Sequence, residues 1–149
     1  MKKLGDYVNY LQVIAEIWKS GADMKLLPSG EIELLHAELV PADVMSAAEL
    51  VFGEIETWFK SWTSATAIEK TMRNILLQYC GWTRNTKIEN WLNAEESKTF
   101  LVHDWTVLLA KNGWTNIYDD YREFENDESH KMAKEIYNNA CEYMKKMEG

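Results

Sequence analysis

Val44, Ala48, Val51, Ile55, Trp58 and Trp62 recur at intervals of 4, 3, 4, 3 and 4, a spacing that stacks side chains on one face of an α-helix and on no face of a strand. A stripe of this width has to be buried, and it predicts a helix running from Pro41, well suited to a first helical turn, to Trp62. Shorter stripes predict its neighbours. Tyr7, Leu11, Ile14 and Trp18 define a helix over about 5–20 that stops at Ser20-Gly21. Thr66 and Glu69 have the spacing of a capping box and open a helix with Ile68, Met72, Ile75 and Tyr79 inward, closed by Gly81. Thr86 and Glu89 repeat the signal before Trp91 and Leu92. Asn93 can cap a longer helix to Asn112, with Leu101, Trp105, Leu108 and Leu109 inward and Gly113 after it. Ala133, Ile136, Ala140, Tyr143 and Met147 define a terminal helix, with Asp127 and Glu128 near its start and Lys145 and Lys146 near its end, as the helix dipole favours.

The expected fold class is all-α, about six helices in a compact bundle, with one short β-hairpin near residues 24–35. Pro28 and Gly30 suit the second and fourth positions of a type I turn between two short strands. The competing reading of that segment starts a helix at Ser29 and turns Ile32, Leu35 and Leu39 inward. Leu76-Leu77 before Gly81-Trp82 recurs as Leu108-Leu109 before Gly113-Trp114. A left-handed glycine after a helix folds the next apolar residue back on the last turn, so Leu77 with Trp82 and Leu109 with Trp114 are the expected contacts.

The 149 residues match the size of one domain, read as 1–149, with 46% hydrophobic residues on which to build a core. Cys80 and Cys141 form no metal-like or redox-like pair and read as packed, reduced thiols. Asp6, Tyr7, Asn9 and Tyr10 interrupt what would be a signal core, and no apolar run approaches the roughly 18 residues a spanning helix needs. A soluble, cytoplasmic protein is expected.

The net charge of −8 is localised rather than spread. No Lys or Arg occurs from Leu26 through Phe59, whereas Glu31, Glu33, Glu38, Asp43, Glu49, Glu54 and Glu56 all do. Asp119, Asp120, Glu123, Glu125, Asp127 and Glu128 form a second cluster around Arg122. Solvated helix faces usually intersperse both signs and gain from their pairing. A one-signed run instead accelerates association with an oppositely charged partner. Seven Trp and seven Tyr could stack bases, but base-stacking proteins set aromatics in cationic grooves, so no direct nucleic-acid ligand is expected. Core packing accounts for Trp18, Trp58, Trp62 and Trp105; Tyr10, Trp91 and Tyr137 are the candidates for exposed anchors.

Catalytic signals are sparse. His103-Asp104 is the one dyad suggesting a metal-dependent phosphohydrolase, a helical class of which uses a His-Asp pair. That resemblance covers two residues, and His36 and His130 are the only other imidazoles. Glu123, Glu125, Asp127 and Glu128 fit no calcium loop, since no glycine sits at the bend and no acid completes the loop. No cofactor is expected.

The leading expectation is a non-enzymatic binding protein that occupies a basic, nucleic-acid-binding surface of another protein with Glu31, Glu33, Glu38, Asp43, Glu49, Glu54 and Glu56, joined by Asp119, Asp120 and Glu123. In composition the chain resembles small acidic inhibitors from phages and mobile elements that imitate phosphate charge, an analogy rather than a family. The rival readings are the phosphohydrolase and a self-associating helical module. The latter would pack a second copy on the small-residue face of Ser46, Gly53, Thr57 and Ser61.

Overall fold

A computed structural model describes residues 9–148, among which lie seven α-helices and one antiparallel hairpin. The chain forms two compact units. The first comprises the residues up to Ala65 together with Gly81–Thr83, and the second comprises Thr66–Cys80 together with the residues from Arg84 onward.

In the first unit, helix α1 (Tyr10–Lys19) begins where Asn9 Oδ1 accepts the Leu11 amide at 2.8 Å. Leu11, Val13, Ile14, Ala15 and Ile17 are all buried, and Tyr7 lies outside the described residues. The hairpin pairs β1 (Asp23–Leu26) with β2 (Ile32–Leu35), Leu26 facing Ile32 and Asp23 facing Leu35. Gly30 supplies a φ of +91° for its turn and donates its amide to Leu27 O at 2.9 Å, so the turn chemistry prevails over the competing helix.

The single helix expected from Pro41 to Trp62 is two. Helix α2 (Ala42–Leu50) and helix α3 (Phe52–Ser61) meet at Val51, whose φ of −115° and ψ of 17° leave the helical region. A β-branched residue has a slightly lowered helix propensity, and the apolar stripe runs on through the elbow unaltered in sequence. The break changes which residues face inward: Ala47 is buried in α2 where Ala48 was expected, while Ile55, Trp58 and Trp62 keep their places. Trp58 is the hub of an aromatic cluster, its ring centre 5.1 Å from Phe59, 5.7 Å from Trp62 and 6.3 Å from Trp18, all edge-to-face. Each such contact adds roughly 1 kcal/mol beyond the area it buries.

The second unit starts with α4 (Ala67–Tyr79), whose capping box closes as its sequence requires. Thr66 Oγ1 accepts the Glu69 amide at 3.1 Å and Glu69 Oε1 accepts the Thr66 amide at 3.0 Å. Met72, Ile75 and Leu76 are buried, and Tyr79 turns outward instead. Helix α5 (Thr86–Ala94) is capped by Asn85 rather than Thr86, because Asn85 Oδ1 reaches the Ile88 amide at 3.1 Å and leaves Glu89 to pair with Arg84. Helix α6 (Glu96–Lys111) begins after an extended Glu95, not at Asn93. It ends as predicted: Gly113 at φ +115° donates to Ala110 O and Trp114 donates to Leu109 O, each at 3.0 Å, with both Leu109 and Trp114 buried. A 3₁₀ turn (Tyr121–Phe124) leads to α7 (Asp127–Glu148), opened by a reciprocal cap in which Asn126 and buried Ser129 each accept the other's amide at 2.9 Å. Trp91 and Trp105 are fully buried in this unit, so Trp91 is no exposed anchor; its Nε1 donates to Asn139 at 3.1 Å. Neither Cys80 nor Cys141 forms a disulfide. Among the described residues no helix is long and apolar enough to cross a membrane.

Candidate functional site

The first acidic segment spans β2, the 3₁₀ turn Ala37–Leu39, α2 and α3. Glu31, Glu33, Glu38, Asp43, Glu49 and Glu54 are all exposed. Glu33 stands on the outward side of β2, Asp43 in the first turn of α2 and Glu54 in the first turn of α3, the helix ends where a carboxylate is favoured. Glu56 is half-buried and lies 3.6 Å from Lys60 Nζ, so the cation just beyond the run answers one of its charges. Glu38 lies 3.7 Å from His36 Nδ1. Gly53 is exposed, a Cβ there would meet nothing within 4 Å beyond its own helix backbone and chain neighbours, and its carbonyl accepts the Thr57 hydroxyl at 2.9 Å.

Beside Val51 stand two large apolar residues that residue counting did not single out. Leu50 is 62% exposed and Phe52 44% exposed, set between Glu49 and Glu54. Their signal in the sequence was weak: both lie off the inward stripe, at positions that a continuous helix would also have turned to water.

The second acidic segment is organised differently. Asp120 accepts the Arg122 guanidinium with both oxygens, at 3.0 and 3.1 Å from Nε and 2.6 Å from Nη2, and also accepts the Arg122 amide. Burial alone would lower the Arg122 pKa; the Asp120 bond and charge outweigh it and hold it above its usual value. Asp119 is half-buried and its carbonyl accepts Trp114 Nε1 at 3.0 Å. Glu125 accepts Trp105 Nε1 at 3.2 Å and lies 3.6 Å from His130 Nδ1. Burial raises its pKa, and the bonds from Trp105 and His130 only partly offset that rise. Tyr121 stacks edge-on against Trp105, donates its hydroxyl to Glu69 O at 3.0 Å and has its pKa pushed far up by burial. Arg73, also desolvated, has its pKa lowered, against the opposing influence of Tyr121. Of the three sequence-predicted residues here, only Glu123 is exposed.

Family models, curated proteins and solved structures give no match to this chain. His103 and Asp104 are both exposed on α6, and His103 Nδ1 lies 3.1 Å from the Tyr79 hydroxyl. Among the described residues no three or more His, Cys, Asp or Glu side chains gather as a metal would require.

Proposed function

We propose that this is a non-enzymatic binding protein whose first unit presents an acidic face to a basic, nucleic-acid-binding surface of a partner protein. One observation carries the reading: Leu50 and Phe52 stand exposed at the α2–α3 elbow within a segment whose carboxylates Glu31, Glu33, Glu38, Asp43, Glu49 and Glu54 all face water. Interfaces commonly have an apolar centre and a polar rim, and exposed Leu50 and Phe52 flanked along the chain by exposed Glu49 and Glu54 fit that anatomy. The carboxylates would steer a cationic partner into contact, and the two apolar side chains would slow its departure. The second segment contributes little, since Asp120 and Glu125 are engaged within their own unit.

The test is recovery of a partner by the tagged protein at low and high salt, followed by competition with duplex DNA. Duplex DNA and high salt should each displace a partner held through its nucleic-acid site. Glu49→Lys with Glu54→Lys should abolish recovery while the helical circular dichroism is kept. Recovery that survives both the charge reversal and the salt would overturn the reading.

A further inference from the structure

The second unit holds a half-open cleft of about 380 Å³ between α4, the start of α5 and the last turns of α7. That volume falls within the range of small-molecule sites. Its floor is apolar, built from Ile75, Ile88, Trp91, Ala140 and Met144, and Ile75, Ile88, Trp91 and Ala140 are buried core residues. Lys87 and Lys145 line the same cleft, both exposed, and neither has an ion-pair partner among the described residues.

Two cations without ion-pair partners over an apolar floor run against the character of a chain with net charge −8, although Lys145 is favoured by the C-terminal end of α7. Lys87 is also set against its own helix, because it lies in the first turn of α5, where the dipole favours an anion. A bound anion would relieve that placement and pair with Lys145 at the same time. The apolar floor calls for a hydrocarbon body attached to the anionic head, and the enclosure suits a small molecule.

We infer that this cleft binds a small amphipathic carboxylate, its head between Lys87 and Lys145 and its hydrocarbon body on Ile75, Ile88, Trp91 and Met144. The inference is independent of the acidic face, which belongs to the first unit.

Cys141 lines the cleft as a free thiol and reports its occupancy. In the full chain carrying Cys80→Ser, alkylation of Cys141 by iodoacetamide is followed by intact mass with decanoate as the probe. Decanoate at about ten times its Kd should slow the reaction roughly tenfold and raise Tm, as binding to the folded state alone requires. Decan-1-ol at the same concentration should do neither. Lys87→Gln with Lys145→Gln, checked for unchanged circular dichroism, should lose both effects. The inference is overturned if decanoate neither protects Cys141 nor raises Tm. It is equally overturned if decan-1-ol protects as well as decanoate, or if the double glutamine variant is protected like the parent. Should Cys141 prove unreactive without any probe, the Tm comparison alone decides between the same outcomes.

Discussion

The two acidic segments look alike as strings of letters and differ as chemistry. In the first, from Glu31 to Glu56, the backbone sets carboxylates on the outside of a strand and at the starts of two helices, where the fold asks little of them. In the second, from Asp119 to Glu128, a short stretch of 3₁₀ turn and cap draws carboxylates back into the unit. Asp120 clasps Arg122, and Glu125 serves as the acceptor for a fully buried Trp105. In the first segment only Glu38, beside His36, and Glu56, beside Lys60, lie near a cation, whereas in the second Asp120 and Glu125 are bound within their own unit while Glu123, Asp127 and Glu128 face water.

Substitutions should separate the two kinds sharply. Asp120→Ala removes the cap of the 3₁₀ turn and leaves a largely buried guanidinium without its fork, and should cost about 2 kcal/mol in denaturant unfolding. A loss within experimental error would place Asp120 with the surface carboxylates. Glu125→Ala leaves Trp105 Nε1 buried without its acceptor and should cost roughly 1–2 kcal/mol. Glu125→Gln keeps an acceptor oxygen there and behaves differently. Because burial raises the Glu125 pKa in the folded state, ionisation there disfavours folding, and its contribution to stability falls as pH rises through the carboxylate range. The glutamine variant should therefore be slightly more stable than the parent at pH 7, with the gain narrowing towards pH 4. A gain that grows on acidification would reverse the sign assigned to this group. Smallest of all, Glu49→Lys with Glu54→Lys should move Tm by no more than about 2 °C, as exposed positions allow. A larger fall would show that these carboxylates support the fold.

Local chemistry was the legible part of this fold. The Thr66–Glu69 box, the Pro28–Gly30 turn and the Gly113 stop each depend on residues a few positions apart, and each formed where its residues stand. The interruption at Val51 was not legible, because the apolar period continues across it, whereas the one expected at Asn93 falls two residues later, at an extended Glu95. Asn85 displaced Thr86 as a cap through a one-residue preference between two competent side chains. For the candidate sites the sequence displayed charge but not what faces it. Nothing in the letters distinguishes Glu125, folded against an indole, from Glu123, which faces water. The cleft of the second unit was invisible for the same reason: Ile75, Lys87, Trp91 and Lys145 come from three helices, and only packing makes them neighbours.

After entering the second unit at Thr66, the polypeptide lends Gly81–Thr83, with its buried Trp82, back to the first before the second resumes at Arg84. No single break in the polypeptide can therefore give each unit its full complement of residues. A protease nick or a gene fusion at Ala65 strands Trp82 with the wrong half.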